Sequence, residues 1–559
     1  MKHLKIVAAN HKSLIAVFIA MGLVWTFMHS FVPRYFQTVV DNFTDGTLTI
    51  TNIVIYGMAM IGLYILAYLY NYPDRKLSQS IELSLKLAAL SKVSVIDYLS
   101  YVKLGTGTLI QRIENGSAAG RNILFGFYLR LASELLPTMV FSIVFIFTIN
   151  RVVMITVLLG YIIVFIVTNL LLKALYRVKE RILDNEEKFN HFLVRGFMEM
   201  VVFRVNRRFA REMYKAEAAS REILTGTVKM RMVHEAFFTI FAILIGFVKI
   251  GIIVYGWRAG ALTIGQIVAL VLLVDNAYQP IAIINVDYIQ YKLDKITFGR
   301  YTEFLDAKEE TRLVCGRILP GISGDILFSR VKFSYNEREL FCDLNLGIGP
   351  RASTAFVGES GSGKSTAVKL LAGLLMPDEG EITVDGFDLK QANLNSYYQH
   401  IAYLPQEPSI FDGTLRENLI FDEAVDDEAL LSAIAKVKLD GLYSKLEKGL
   451  DTPLGERGVS LSGGERQQLA LARLWFSDAA VIIFDEATSA IDNLTEEAVM
   501  GNVMALLQGK TIIAIAHRLD SVKAFDDIIV FQDGCVVERG RFDELIDKRQ
   551  YFYELYTRA

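Results

Sequence analysis

The first half of the chain alternates long apolar runs with polar connectors. Apolar residues also recur at helical spacing through the two long connectors, which follow the second and fourth runs. We expect these connectors to be helical arms with turns near residues 105–107 and 205–208. The six apolar runs are long enough to cross about 30 Å of hydrocarbon, and they cover residues 14–37, 52–72, 122–149, 152–175, 233–257 and 262–290.

Composition supports a membrane protein. Apolar residues make up 52% of the chain, charged residues 21%, and the mean hydropathy is +0.35. The net charge of −3 gives no basic field that would attract nucleic acid, so we expect no nucleic-acid partner. The three cysteines have no metal-ligand spacing and indicate incidental thiols of a reducing compartment; they are Cys315, Cys342 and Cys535.

The distribution of Lys and Arg predicts the orientation of the spans. Basic residues crowd the N-terminal segment and the two long connectors, whereas the connector "DNFTDGTLT" contains none. Short loops rich in Lys and Arg stay on the cytoplasmic side. We therefore expect a multi-pass protein of the cell membrane, surrounded by lipid, with both termini in the cytoplasm.

Several ionisable residues interrupt the apolar runs. A charged group in lipid is costly, so it is expected to face a cavity or a partner. Arg34 and Asp287 lie near span ends, where a side chain can reach the interface instead. The candidate cavity residues are Asp275, which lies deeper in its span, together with Glu134 and His29.

After about residue 300 the pattern changes to short β-branched runs, turns and amphipathic helices. Within it, "STAFVGESGSGKSTAVKLL" reads as a strand, a glycine loop and a helix, and 358–365 fits the phosphate-loop motif. The glycines let backbone N–H groups surround phosphate oxygens, Lys364 would neutralise the β- and γ-phosphates, and Ser365 would bind Mg²⁺. The predicted ATP-binding residues here are Gly358, Ser360, Gly361, Ser362, Gly363, Lys364, Ser365 and Thr366.

A second apolar run, in "AAVIIFDEATSAID", ends in two carboxylates. A buried parallel strand ends this way where its C-terminal edge faces a ligand. Asp485 would hold Mg²⁺ through water, and Glu486 would act as general base on the attacking water. His517 follows the apolar run of "KTIIAIAHRL", where it could sense the γ-phosphate.

A third motif, "LSGGERQQLALAR", places Ser462, Gly463, Gly464 and Glu465 before a helical run. Alone it fits a capping box or an anion site. Together with the other two motifs, in the chain order phosphate loop, "LSGG" and carboxylate-ended strand, it resembles the ATP-binding cassette (ABC) transporters, and specifically exporter-type half-transporters. In that family the "LSGGQ" motif is called the signature, and it contacts the ATP that is held by the partner's phosphate loop. The resemblance therefore implies this role for these four residues. Glu465 stands where the family usually has Gln.

The resemblance implies roles for further residues. Tyr335 is similar to the aromatic that stacks on adenine, and Gln406 to the glutamine that approaches Mg²⁺ and reports to the membrane arms. Asp492 is similar to the D-loop acid, and "GERG", residues 455–458, to a segment that contacts the arms. The resemblance covers essentially the whole chain.

These observations predict an all-α transmembrane domain at 1–300, a linker at 301–322 and an α/β P-loop ATPase domain at 323–559. The resemblance implies ATP hydrolysis that drives alternating access in a dimer, with the same chain or a related half-transporter as partner. The expected function is export of an amphipathic small molecule, lipid or peptide; the transported substrate itself is unknown. An importer on this scaffold and a nucleotide-gated regulator remain alternatives. We expect no peptidase domain ahead of the first span.

Overall fold

A computed structural model describes residues 1–558 except 105, 261, 336–337, 421–424, 456–460 and 517–518. The chain divides into two compact units. The first contains residues 1–94 and 104–307, and the second contains residues 95–103 and 308–559.

The first unit is helical. Polar side chains begin three of its long helices: Thr49 and Asn150 accept hydrogen bonds from backbone N–H groups of the first turn, and Thr263 forms a capping box with Gln266. The helices of this half of the chain are α1 (Lys2–Asn10), α2 (Lys12–Thr44), α3 (Ile50–Val93), α4 (Tyr98–Leu104), α5 (Thr106–Arg121), α6 (Leu136–Ile149), α7 (Arg151–Met198), α8 (Met200–Val205), α9 (Phe209–Ala259) and α10 (Ile264–Leu305).

Five helical stretches within the described residues are long and apolar enough to cross a membrane, and each contains all or nearly all of a predicted span. The predicted fourth span falls in α7, where the described apolar stretch is Arg151–Val164. The predicted turn at 205–208 is confirmed, because α8 ends at Val205 and α9 begins at Phe209. The five stretches are Lys12–Thr44, Ile50–Val93, Leu109–Ile149, Phe209–Arg258 and Ile264–Leu305.

Two local features differ from the predicted pattern of helices. The first arm breaks earlier than expected, since α3 ends at Val93 and a loop precedes α4; the predicted turn at 105–107 lies partly outside the described residues. The third span is not a regular α-helix from its start. It is π-helical over Asn122–Leu129 and Leu131–Leu135, and π-helical stretches are often found at functional sites.

The short segment 95–103 belongs to the second unit although it follows α3. The backbone N–H of Asp97 donates to the Lys308 carbonyl at 3.1 Å, and Ile96 pairs with Glu309 in an isolated bridge. Tyr98 and Leu99 pack against the hydrophobic core of this unit. This segment is therefore part of the second unit.

Within the residues that the structure describes, the second unit contains two sheets. A four-stranded antiparallel sheet has the order β2-β1-β4-β5, and a six-stranded sheet has the order β10-β9-β3-β8-β7-β6. The strands are β1 (Ile326–Tyr335), β2 (Arg338–Ile348), β3 (Ser353–Gly358), β4 (Glu379–Val384), β5 (Phe387–Asp388), β6 (Ile401–Leu404), β7 (Val481–Asp485), β8 (Thr511–Ile515), β9 (Asp527–Gln532) and β10 (Cys535–Gly540).

Helices lie between and after the strands along the chain of the second unit. They include the two predicted helices that follow the phosphate loop and the "LSGG" motif. The helices are α11 (Lys364–Leu371), α12 (Leu394–Tyr398), α13 (Leu415–Leu419), α14 (Asp427–Lys436), α15 (Asp440–Tyr443), α16 (Gly463–Ala472), α17 (Asn493–Leu506), α18 (Phe542–Lys548) and α19 (Tyr551–Arg558).

Strand direction in the larger sheet determines where the site lies. Strands β3, β8, β7 and β6 pair in parallel, and β7 and β8 are buried along their whole length. Burial on both faces explains why these strands are continuous apolar runs in the sequence. Because the strands are parallel, their carboxyl ends meet at one edge, where ligands of open α/β sheets bind.

Candidate functional site

The phosphate loop connects β3 to α11 at this carboxyl edge. Gly361 and Gly363 have φ values of 85° and 109°, a region that favours glycine. A Cβ on Gly363 would lie 2.6 Å from the Phe341 ring. The loop therefore requires glycine, and the exposed backbone that remains is suited to surround phosphate oxygens. Ser360 and Ser362 lie in the loop, and Ser365 and Thr366 in the first turn of α11.

Lys364 lies folded against its own loop. Its ammonium donates to the Gly358 carbonyl at 2.7 Å and to the Glu359 carbonyl at 2.8 Å, and the residue is only 5% exposed. Burial lowers the pKa of Lys364, and the nearby Glu486 and Asp485 carboxylates oppose that change. The predicted cation and the two predicted carboxylates are therefore close enough for their charges to interact.

Asp485 is the last residue of β7, Glu486 follows it, and Gln406 follows the neighbouring strand β6. Asp485 is 7% exposed and accepts a hydrogen bond from the Tyr403 hydroxyl at 2.9 Å. The Gln406 amide donates to the Glu486 carboxylate. Three of the predicted site residues therefore meet at one place, although about eighty residues separate the two strands in sequence.

Glu486 has an unusual backbone conformation. Its φ is +56°, in the left-handed region that a residue with a Cβ seldom adopts. Backbone strain of this kind costs about 1–3 kcal/mol and is concentrated at functional sites. The surrounding contacts therefore hold the Glu486 backbone in a costly conformation, as is typical of a residue whose direction matters.

Tyr335, at the end of β1, lies beside the start of α11. Its hydroxyl is 3.4 Å from the Thr366 hydroxyl, its ring meets Phe333 edge to face at 4.9 Å, and 38% of the residue is exposed. An exposed ring next to the phosphate loop is available for stacking on a planar ligand. The structure thus places the predicted adenine-stacking residue beside the predicted phosphate site.

The "LSGG" motif forms a capping box at the N-terminus of α16. The Ser462 hydroxyl accepts from the Glu465 N–H at 3.2 Å, and the Glu465 carboxylate accepts from the Ser462 N–H at 2.7 Å. Glutamate in place of glutamine is suited to this contact, because a carboxylate accepts hydrogen bonds and is favoured in the first turn of a helix. The helix cap and an anion site at the same N-terminus are compatible.

The remaining predicted residues of this domain have different outcomes. Asp492 caps α17, accepting from the Thr495 N–H at 3.0 Å, and these backbone and side-chain hydrogen bonds of Thr495 lower the pKa of Asp492. His517 lies outside the described residues, as do positions 456–458 of "GERG". Their predicted contacts therefore stay predictions.

In the first unit, the mid-span residue Asp275 is paired. The Lys249 ammonium on α9 lies 2.7 Å from both carboxylate oxygens of Asp275 on α10. The side chains are 28% and 49% exposed, respectively. An ion pair reduces the cost of placing each charge in an apolar helix.

Glu134 lies in the π-helical part of the third span and is held from two sides. The Tyr70 hydroxyl donates to one carboxylate oxygen at 3.0 Å, and Arg130 donates to the other at 3.1 Å. The charge of Asp287 interacts with both Arg130 and Glu134, and one Asp287 oxygen is buried. Asp287 is thus linked to this cluster by charge, and the expectation that it reaches the interface at its span end stays a prediction.

His29 belongs to a row of rings next to that cluster. Its ring lies 5.4 Å from Trp25, and Trp25 stacks on Tyr70 with ring centroids 6.0 Å apart. The Asn276 amide donates to the His29 carbonyl at 3.3 Å, which joins α2 to α10. His29 and Glu134 are thus connected through two aromatic side chains.

Sequence reasoning missed three residues of these sites. Tyr403 was overlooked because a tyrosine in a strand has no motif that marks it. Tyr70 was overlooked for the same reason. Arg130 had a readable signal, since it lies four residues before Glu134 within an apolar run, and oppositely charged residues at that spacing pair on a helix.

The geometry described above is that of a membrane protein with a P-loop ATP-binding domain, and comparison with known proteins agrees with it. A family model described as "ABC transporter" matches residues 341–489. The ATP-dependent lipid A-core flippase of Alcanivorax borkumensis is 30% identical over 402 residues, which are 70% of this chain and 68% of the flippase. The chain therefore belongs to the ABC transporter family.

Two further similarities extend this result. The uncharacterized ABC transporter ATP-binding protein YwjA of Bacillus subtilis is 36% identical over 291 residues, 52% of this chain. The chain matches about half the length of YwjA, 51%. The structure of a bacterial Atm1-family ABC exporter with ATP bound superposes with a TM-score of 0.85 over 98% of both chains at 23% identity. That likeness shows the fold: an ABC exporter fold with an all-α membrane region before an α/β domain.

Proposed function

We propose that the protein is an ATP-driven exporter that moves an amphipathic small molecule, a lipid or a peptide by alternating access. One observation carries the proposal: Lys364, Asp485, Gln406 and Glu486 converge at the carboxyl ends of the parallel strands of the larger sheet. The same chain has helices long enough to cross a membrane. A hydrolytic site of this kind can drive the closing and opening of a membrane cavity.

The residues at the carboxyl edge fit ATP. The loop glycines leave space and N–H groups for phosphate, Lys364 supplies a positive charge, and Tyr335 supplies a ring for adenine. Ser365, Gln406 and Asp485 have the oxygen ligands that Mg²⁺ prefers, and they would hold the ion. Mg²⁺ would neutralise charge on the β- and γ-phosphates.

Glu486 is the proposed general base. It follows Asp485 directly, so one carboxylate can serve the metal while its neighbour faces the attacking water. The Gln406 amide fixes the orientation of the Glu486 carboxylate through their hydrogen bond. His517 is proposed to contact the γ-phosphate from the end of β8, which lies between β3 and β7.

The proposed assembly is a dimer with a second half-transporter, either the same chain or a related one. Ser462, Gly463 and Gly464 stand at the N-terminus of α16, which favours an anion. In the proposal these residues and Glu465 contact the ATP held by the partner's phosphate loop, and Asp492 lies at the same interface. Each of the two ATP sites is then built from both chains.

The membrane half is proposed to carry the cargo. The basic connectors support an orientation with both termini in the cytoplasm. Glu134, Asp275 and His29 are the proposed cavity residues, since ionisable groups within spans are usually found at transport routes. Export is favoured over import because the fold is that of an exporter and because the 30% identical relative from Alcanivorax borkumensis is named a flippase.

Transport in proteoliposomes tests this proposal. Molecules whose ATP-binding domain faces outward use added ATP, so an exporter would accumulate cargo in the lumen. A panel of one fluorescent amphipathic dye, one labelled lipid and one labelled peptide is offered to the wild type and to Glu486→Gln. Accumulation that needs both ATP and Glu486 supports export. ATP-dependent release from loaded vesicles would support import, and ATP hydrolysis without movement of any cargo would support a regulator.

A further inference from the structure

Gln467, in the first turns of α16, forms buried hydrogen bonds with both the nitrogen and the oxygen of its carboxamide. It is 3% exposed. Its Nε2 group donates to the Ser489 hydroxyl at 3.1 Å and to the Gln406 carbonyl at 3.2 Å, with the Glu486 carbonyl at 3.5 Å. Its Oε1 atom accepts from the Ala490 N–H at 2.8 Å. One carboxamide therefore joins α16 to two segments, the one that contains Gln406 and the one that runs from Glu486 to Ala490.

The residues that Gln467 contacts have different proposed roles. Gln406 approaches the metal, Glu486 activates water, and Ser489–Ala490 leads to Asp492 at the proposed interface. The contacts of Gln467 are to the backbone of Gln406 and Glu486, so they set the position of these residues without occupying their side chains. A fully paired buried amide of this kind is rigid and costly to disturb.

The start of α16 also packs directly on the segment after Glu486. A Cβ on Gly464 would lie 3.0 Å from the Ala490 carbonyl oxygen, and a Cβ on Gly463 would lie 3.3 Å from the Ala490 side chain. Contact this close leaves little room for the two segments to slide. A shift of the helix start is thus passed on to residues 489–491.

We propose that Gln467 is a positioning residue that couples the two ATP sites of the dimer. When Ser462 binds the partner's nucleotide, α16 is fixed, and the Gln467 carboxamide then sets Glu486 and Gln406 of its own chain for the other nucleotide. This inference rests on the proposed dimer. The link runs inside one chain. Each chain therefore contacts one ATP site through Ser462 and positions the catalytic residues of the other ATP site through Gln467.

The adjacent residue Gln468 is a matched control. It is 7% exposed and equally long, but within the described residues its amide donates to the Val437 carbonyl at 2.9 Å and to no group of the site. Methionine has a similar length and no amide. Gln467→Met and Gln468→Met therefore remove equivalent buried groups, and only the first removes contacts to the catalytic segments.

The test is a double-mutant cycle measured on ATP turnover of the purified full-length protein in nanodiscs. Gln467→Met should lower kcat about tenfold, because small misplacement of catalytic groups is costly, with KM for ATP changed less than about twofold. Ser462→Ala should also lower kcat. If the two residues act in series, the double variant is no slower than the slower single variant, whereas independent effects multiply.

Ser462→Ala combined with Gln468→Met should give multiplied effects. Multiplied effects for Ser462→Ala with Gln467→Met, or wild-type kcat for Gln467→Met, would overturn the coupling. Ser462→Ala with wild-type kcat would instead overturn the proposed composite site. If Gln467→Met does not fold, Ser489→Ala replaces it, since this variant removes one acceptor of the same amide; it should lower kcat less, and in series with Ser462→Ala.

Discussion

Two lysines of this protein are held by different kinds of contact. One lies at the carboxyl edge of the larger sheet, where Lys364, Asp485, Glu486 and Gln406 meet and which is called the nucleotide edge below; the other lies among the charged residues of the membrane helices. Lys364 contacts the carbonyls of Gly358 and Glu359, which lie within six residues of it. Lys249 contacts Asp275, which lies 26 residues away on another helix. The first arrangement is a property of a short stretch of sequence, and the second is a property of how helices pack.

This difference determines what each region reveals in the sequence. A phosphate loop needs glycines, a lysine and a hydroxyl at fixed spacing, because one turn of backbone must surround one group of oxygens. A paired charge in a span needs only an opposite charge somewhere on a neighbouring helix. The nucleotide edge can therefore be recognised from a sequence motif, whereas the contacts between membrane helices can be identified only from the three-dimensional structure.

The largest expected effect tests the nucleotide edge. Glu486→Gln should slow ATP turnover by about 10²–10⁴-fold, the usual contribution of a positioned general base. Lys364, Ser365 and Gln406 are unchanged, so the variant should still bind ATP. The measurement is turnover together with ATP occupancy of the purified protein. Near-normal turnover would show that another group activates water, and loss of ATP binding would show that Glu486 is structural.

The sequence predicted most of the fold for a physical reason. Apolar length identifies spans, and the buried strands β7 and β8 are readable because both of their faces are covered. The early end of α3 was not predicted, because Tyr98 and Leu99 pack on the core of the second unit and this tertiary contact outweighs helical periodicity. The π-helical start of the third span was not predicted either, since residues 122–135 have the composition of an ordinary apolar helix.

The candidate sites divide in the same manner. The phosphate loop, Asp485 and Glu486 lie where their motifs place them. The hydrogen bond from Gln406 to Glu486 depends on the pairing of β6 with β7, which no local pattern specifies. Asp287 is expected at an interface because it is near a span end, and this expectation stays a prediction, since the position of a residue along a helix does not define which face it occupies.

The second prediction tests the long-range pair. Asp275→Asn leaves Lys249 without this carboxylate, and an unpaired charge near the centre of a span costs about 2.5–3.5 kcal/mol. We expect a lower unfolding temperature of the protein in detergent micelles. The exchanged variant, Lys249→Asp with Asp275→Lys, restores opposite charges and should recover most of the loss. Equal instability of the exchanged variant would show that shape, rather than charge, holds α9 to α10.

The smallest of the three effects concerns Tyr403, a long-range contact inside the nucleotide edge. The Tyr403 hydroxyl donates to the Asp485 carboxylate, 82 residues away in sequence. Burial, and then the charge of Asp485, raise the pKa of Tyr403, so the hydroxyl keeps its proton and remains a donor at neutral pH. Here the nucleotide edge depends on tertiary structure in the same way as the membrane pair does.

Tyr403→Phe removes that donor and leaves the ring in place. A hydrogen bond to a charged group contributes about 1.5–3 kcal/mol. Without it, the Asp485 carboxylate is held less firmly in the orientation that binds Mg²⁺, so part of this energy should be lost from Mg²⁺ binding. We expect the Mg²⁺ concentration for half-maximal turnover to rise by about tenfold, with smaller loss of turnover at saturating Mg²⁺. The matched control is Tyr397→Phe, which removes a buried hydroxyl that donates to the Leu371 carbonyl at 3.0 Å. That control should lower stability without changing the Mg²⁺ requirement. If both variants shift the Mg²⁺ requirement equally, the Tyr403 contact only supports packing, and the motif alone fixes Asp485.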